Sequence, residues 1–285
     1  LDSILSARKI SAKIITPEAG VLTALYEGKG QASRQIQNLY GKNSKYYVGN
    51  LKHVQQIIAG HSYFTDAGDS TILNVRNSLR DTAAAYKIPF WQSEYSMLGS
   101  GYKEGAKGKI SGMDCALFLS KIIYHDLVIA NASAWQLWNA WEPGNADFDT
   151  RYYLLALKTN AENTEGDFAI TKNLWALGSY SRFIRPGMQR IITARNDSLT
   201  DLQVAQNVML SAFADQKKVV AVAVNYTKSS QNIDLKITGI NKAKTITQYL
   251  TTEQAEDNMR PIKLNSVKKI RLQPRSIVTI VIEKQ

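Results

Sequence analysis

What most constrains this chain is a change of hydrophobic period near residue 188. Before it, short apolar runs alternate with longer stretches of helical spacing; after it, only short runs rich in Val, Ile and Thr remain, separated by turn residues. Strand–helix alternation predicts parallel βα units, and helix-free β runs predict antiparallel sheets. The expected domains are therefore 1–187, an α/β unit, and 188–285, an antiparallel β-sandwich.

Four βα units are legible in the first part. A β-rich run from Ser11 to Pro17 ends at Glu18, and a second strand, about Val54 to Ala59, ends at Gly60-His61-Ser62-Tyr63. Asp69 or Ser70 is expected to cap a helix carrying Ile72, Val75, Leu79, Ala83 and Tyr86 at helical spacing. That helix feeds a buried strand, Ile88–Trp91, with Pro89 near its start, where a missing N–H is tolerated. A Gly/Lys-rich loop, Gly99–Gly112, precedes a long expected helix from Met113 to about Ala130, and a fourth strand is read over Ser133–Trp141. A last helix, about Thr171 to Ile184, is stopped by Pro186-Gly187. Gly28-Lys-Gly30 lacks the Lys-Ser/Thr of a phosphate loop and reads as a turn.

Polar and aromatic residues gather at the C-terminal end of each strand. Glu18, His61, Tyr63, Glu94, Trp138 and Trp141 are expected at one mouth, where an α/β barrel keeps its chemistry. Glu94 is the candidate acid or nucleophile; a salt-bridged glutamate at a strand end is the other reading. Four βα units do not close a barrel, which takes about eight strands and roughly 250 residues. An open four-stranded sheet covered by helices on one side would leave its other side wet. Residues 1–187 are therefore expected to be the second half of a (β/α)8 barrel whose first half this sequence lacks.

Bulk properties narrow the function classes. No apolar run is long enough to span a bilayer. The single Cys115 excludes an internal disulfide and a cysteine-based zinc site, and its apolar helical setting predicts a buried, inert thiol. His53, His61 and His125 lie on three different elements, so no metal or other cofactor is expected. The formal charge is +11, with 20 Lys and Arg against 16 Asp and Glu in residues 1–187, and 15 against 8 in residues 188–285. The basic residues are singles and pairs without interleaved aromatics, so nucleic acid is not an expected partner. The chain begins with Leu1 rather than Met, and a processed form or a fragment is expected.

Several segments together resemble glycoside hydrolase family 30, a family of retaining barrel glycosidases. They are Trp91-Gln-Ser-Glu94-Tyr-Ser, Gly60-His61-Ser-Tyr63, the Trp-rich last strand, and Leu177-Gly-Ser-Tyr-Ser-Arg-Phe-Ile-Arg-Pro-Gly187, which in the family leads from barrel to sandwich side domain. Leu210-Ser-Ala-Phe213, Val219–Asn225 and Pro274-Arg-Ser-Ile-Val-Thr279 are similar to that side domain. The resemblance implies hydrolysis of a β-linked polysaccharide by two carboxylates about 5–5.5 Å apart. Glu94 takes the nucleophile position, with Tyr63 hydrogen-bonded to it. Trp138, with Trp135 or Trp141, would line the sugar site, as would His61, Glu18 and Tyr95. Arg182 and Arg185 are expected to anchor the domain junction.

The sequence departs from the family at one point. The family's acid/base glutamate follows Asn after strand four, and nothing in residues 1–10 matches it. The expected function is an endo-acting, secreted or cell-surface glycosidase, monomeric when complete and inactive as this chain alone. β-1,6-Galactan is the preferred polymer, with β-1,6-glucan and β-1,4-xylan as alternatives. The competing reading is a non-catalytic carbohydrate-binding product of a truncated or decayed glycosidase gene.

Overall fold

The structure, a computed structural model, describes residues 1–30, 32–99, 110–239 and 243–285. The chain is a mixed α/β protein whose residue contacts divide it into two compact units, Leu1–Gly101 with His125–Trp138, and Tyr102–Tyr124 with Asn139–Gln285. This division groups one of the βα helices and the stretch after Trp138 with the β-rich C-terminal part. Much of the Gly/Lys-rich loop read over Gly99–Gly112 lies outside the described residues.

In the first unit, helices α1 (Asp2–Ala7), α2 (Gln35–Tyr40) and α3 (Asp69–Ala85) accompany four strands, β1 (Glu18–Ala19), β2 (Ile58–His61), β3 (Phe90–Glu94) and β4 (Ala132–Trp135). The strands form one sheet in the order β1-β2-β3-β4, every pair parallel. The run Ser11–Pro17 contributes one isolated bridge, Ile14 to Val54, and the paired backbone begins later, at Glu18. Leu22, Leu25, Ile36, Ile58, Leu79 and Phe90 form the core of this unit, each at most 1% exposed. Burying one such side chain is worth about 1.5–3 kcal/mol.

Of the apolar positions read on α3, Val75, Leu79 and Ala83 pack into this core and Ile72 is buried as well, whereas Tyr86 follows the helix as its C-cap. Gly68, not Asp69 or Ser70, occupies the N-cap, and Asp69 stands in the first turn, where its charge suits the helix dipole. Lys87 takes a left-handed φ of 54° and Ile88 N–H returns to Ala83 O at 3.0 Å, a helix stop that hands the chain directly to β3.

The expected helix Met113–Ala130 divides in two. Helix α4 (Gly112–Tyr124) belongs to the second unit, and a five-residue π-helical turn, His125–Ile129, belongs to the first. The expected strand Ser133–Trp141 also divides. After β4 the backbone leaves the ladder, Trp138 N–H bonding Tyr95 O at 2.9 Å, and Trp141 opens β5 (Trp141–Pro143) in another sheet.

The second unit holds α4, α5 (Lys172–Ser181), α6 (Asp201–Val204) and strands β5 to β15. A three-stranded sheet joins β5 to a hairpin of β6 (Leu155–Thr159) and β7 (Gly166–Ile170), which sequence reasoning missed. The remaining strands are β8 (Gln189–Ile191), β9 (Val208–Ala214), β10 (Lys218–Asn225), β11 (Gln231–Ile233), β12 (Ala243–Thr251), β13 (Asn258–Lys263), β14 (Ile270–Leu272) and β15 (Ser276–Lys284). Six of them form an antiparallel sheet in the order β13-β12-β15-β10-β9-β8, and β11 pairs with β14.

The central strands β10 and β15 are buried nearly end to end, as a continuous run such as Val219–Val224 requires. One face of this sheet meets α5, where Thr279 Oγ1 donates to Ser179 O at 2.8 Å. Residues of β14 join the sheet's apolar cluster through Ile270 and Leu272. Arg182, just past α5, lies over the rings of Phe183 and Tyr249 at 5.5 and 5.8 Å, and Arg185 donates to Ser181 O at 2.8 Å.

Candidate active site

The first unit places three expected residues around one carboxylate. Tyr63 Oη donates to Glu94 Oε1 at 2.8 Å. The His61 ring stands between two glutamates, with Nδ1 3.6 Å from Glu94 Oε1 and Nε2 3.3 Å from Glu18 Oε1. His61 and Glu94 end the parallel strands β2 and β3 and Tyr63 lies two residues beyond β2, whereas Glu18 opens the two-residue strand β1 rather than following a strand as expected.

A register irregularity makes this meeting possible. Gly60 pairs with Gln92 but His61 pairs with Glu94, so Ser93 is an extra residue in β3. Such a bulge re-aims the side chains that follow it. Without it, His61 would oppose Ser93 and the carboxylate would lie one residue further on. Gly60 leaves room on β2 for the core, because a Cβ there would stand 3.0 Å from Leu25 Cδ1 and the leucine would have to shift.

Exposure separates the roles open to these groups. The side chains of Glu94 and His61 are 29% and 18% exposed, so solvent or a ligand reaches them, whereas Glu18 is 56% exposed. Tyr63 is buried to 8%, and burial, reinforced by the Glu94 carboxylate, holds its phenol well above the ordinary tyrosine range. Tyr63 is therefore a fixed hydrogen-bond donor. Both polar contacts fall on Oε1, and among the described residues Oε2 of Glu94 accepts no hydrogen bond. The two contacts thus anchor one oxygen of the carboxylate.

Tyr95 does not line this cleft. It is completely buried and donates to Asp66 Oδ2 at 2.8 Å. Neighbouring residues of an extended chain point to opposite sides, so exposing Glu94 turns Tyr95 inward. Trp135 is likewise occupied, its indole N–H bonding Asp126 Oδ2 at 2.9 Å. Trp138 is 56% exposed, its backbone held by Tyr95 O and Ser96 Oγ. Trp141 belongs to the second unit.

Two features here escaped sequence reasoning. Phe64 is 64% exposed with its ring 6.2 Å from that of Tyr63, and its φ of 57° is rare for a bulky residue. No local sequence signal marks it. The second feature is a buried polar network beneath the site. Arg76 Nε donates to Asp126 Oδ1 at 2.8 Å, both side chains fully buried, and Ser62 Oγ donates to Asp126 Oδ2 at 3.0 Å. Arg76 also reaches Thr65 O at 2.8 Å. An arginine on the apolar stripe of α3, four residues after Ile72, was the available signal.

The rings of Tyr63, Tyr95 and Trp135 stand 6.3 and 6.2 Å apart in succession, linking the site to this network. Asp66 lies within it. Its burial raises the carboxyl's pKa against the lowering effect of Tyr95, and its Oδ1 has no hydrogen-bond partner among the described residues.

Among the described residues no cluster of three His, Cys, Asp or Glu could hold a metal ion, and no helix is long and apolar enough to cross a membrane. Cys115 is buried, and desolvation pushes its thiol up to about 12.

Known proteins resemble the whole chain. A conserved exported protein from Bacteroides fragilis superposes with a TM-score of 0.85 at 30% identity, covering 99% of this chain and 57% of that one. A glycoside hydrolase family 30 subfamily 8 xylanase from Clostridium acetobutylicum gives a TM-score of 0.60 at 20% identity, over 99% of this chain and 59% of that one. An endo-β-1,6-glucanase gives 0.58 at 16%, over 100% and 51%. The chain thus spans between half and three fifths of the length of these structures. The family model described as O-Glycosyl hydrolase family 30 matches residues 1–152, more than half of the sequence, and the chain belongs to that family.

Proposed function

We propose that this chain carries the nucleophile of a retaining, endo-acting β-glycosidase, and that the nucleophile is Glu94. The observation that carries the reading is the Tyr63–Glu94 hydrogen bond at a half-open strand end. A retaining glycosidase needs an ionised carboxylate beside the anomeric carbon, and a neutral donor on one oxygen stabilises that charge without blocking the other. Glu94 Oε2 attacks the anomeric carbon and the leaving oxygen takes a proton. Water then hydrolyses the glycosyl ester. Trp138 and Phe64, both largely exposed, offer flat faces for sugar rings.

In this reading the four-stranded parallel sheet is the C-terminal half of a (β/α)8 barrel. Residues 188–285 are its β-sandwich side domain. The proton donor comes from outside residues 1–285, so the chain alone does not cleave polysaccharide. The preferred polymer is β-1,6-galactan, on the likeness of Trp91-Gln-Ser-Glu94-Tyr-Ser to the galactanase branch, and a secreted enzyme is in keeping with the exported Bacteroides fragilis relative. The test is an assay of residues 1–285 on β-1,6-galactan, β-1,6-glucan and xylan. No turnover is expected on any of the three. Clear turnover that disappears in Glu18→Gln would give the proton donor's role to Glu18 instead.

A further inference from the structure

The second unit contains an open cleft of about 710 Å³ that the catalytic reading leaves unused. Its apolar floor includes Leu250 of β12 and Ile270 of β14, 1% and 3% exposed. Lys268, Lys269 and Arg271 line it as well, all three exposed. Ser266 and the amides of Gln248, Asn265 and Gln273 complete its polar surface.

Two absences define what fits. None of the three cations forms an ion pair among the described residues, and no carboxylate or aromatic ring lines the cleft there. Arg271 donates only to the neutral Ser230 hydroxyl, at 3.2 Å, and Asp234 accepts the backbone N–H of Lys269 rather than its ammonium. Three neighbouring cationic side chains, none of them in an ion pair and with Asp234 bonded only to the backbone, repel one another, and an anion relieves that repulsion. Without an aromatic platform there is little to stack a neutral sugar or a nucleobase. Amides that bond hydroxyls, an aliphatic floor and a volume within the usual range of ligand sites suit a short run of sugar rings.

We propose that this cleft binds segments of polysaccharide bearing carboxylate or sulfate groups. The choice of a sugar polymer rests on the glycosidase reading; the requirement for negative charge rests on the cleft alone. Such a site would hold the protein on an acidic polymer independently of Glu94.

The experiment is affinity electrophoresis of the 285-residue chain in gels containing polygalacturonate, heparin or neutral β-1,6-galactan, with double-stranded DNA as a fourth probe. The variants are the triple Lys268→Gln/Lys269→Asn/Arg271→Gln, the control pair Lys217→Gln/Lys218→Gln, and Glu94→Gln. Circular dichroism verifies that each is folded. The wild type is expected to be retarded by polygalacturonate, heparin or both, the responsive gel telling carboxylate from sulfate recognition. The triple variant should bind about tenfold more weakly, and the control pair and Glu94→Gln should bind as the wild type does. Equal retardation of triple variant and wild type would overturn the proposal. So would an equal loss in the control pair, which would mean net charge alone. A loss confined to DNA would assign the cleft to nucleic acid and overturn it too. Covalent labelling of Glu94 tests the glycosidase reading separately.

Discussion

Tyr63 holds Glu94 through a 2.8 Å hydrogen bond to Oε1. Its own phenol is raised by burial, so the proton stays on tyrosine throughout the neutral range. Tyr63→Phe removes the donor and keeps the ring. The rate at which Glu94 is glycosylated by an activated sugar should fall about 10–100-fold, the range set by one lost hydrogen bond to a charged group. Rates of covalent labelling, wild type against variant, measure this. An unchanged rate would remove Tyr63 from the site's chemistry.

Arg76 and Asp126 form a fully buried ion pair beneath the site. Arg76→Met leaves the Asp126 carboxylate without its cation and should cost about 3–5 kcal/mol, as breaking a buried pair does. Denaturant unfolding of both proteins measures the loss. The double variant Arg76→Met/Asp126→Leu should recover part of it, because no buried charge then remains unpaired.

Asp66 contributes a pH dependence of known sign. Its carboxyl is raised in the folded protein, chiefly by burial, so the folded state binds the proton more tightly than the unfolded one. That contribution is complete below the unfolded carboxylate range and is lost as pH rises through the raised value. Asp66→Asn keeps an acceptor for Tyr95 and has no charge to bury. The Tm of the variant should gain on the wild type as pH increases from acid to neutral. A constant difference across pH would mean that Asp66 does not titrate differently on folding.

Cys115 combines burial with a thiol pushed up to about 12. The native protein should leave a thiol reagent such as Ellman's unreacted at pH 8, and one equivalent should react on unfolding. Rapid reaction in the native state would show that the segment around α4 opens.

Much of this was legible in the sequence because local pattern and tertiary role agree. The strand before Glu94, the stripe on α3 and the continuous run Val219–Val224 each bury what their periodicity says they bury. Where exposure is high the signal fades. The hairpin β6–β7 presents mostly solvent-exposed residues, such as Asp167 and Phe168, and its alternation is weak. Strand β13 escaped notice because it contains Pro261, which an edge strand accepts and a central one does not.

The site was legible as a set of residue types but not as a geometry. His61, Tyr63 and Glu94 could be placed at strand ends, yet their meeting depends on the bulge at Ser93, which no residue pattern announces. Tyr95 was misplaced for the same reason. Its neighbour's exposure decided its burial, and a flanking position in a motif says nothing about which side of the chain faces the cleft. The network joins Arg76 to Asp126, fifty residues further on, and to Trp135 on the strand after it, so only folding brings the arginine to its partners.

The central claim is that Glu94 is the group that bonds to sugar. A 2-deoxy-2-fluoro-β-glycosyl fluoride tests it without a proton donor, because fluoride departs unassisted and the fluorinated ester hydrolyses slowly. The chain should be incubated with the galactosyl, glucosyl and xylosyl reagents, digested, and its peptides weighed by mass spectrometry. One glycosyl unit on the peptide containing Glu94, absent in Glu94→Gln, is the expected result. An adduct on Glu18 or any other residue, an adduct that persists in Glu94→Gln, or no adduct with any of the three reagents would contradict it.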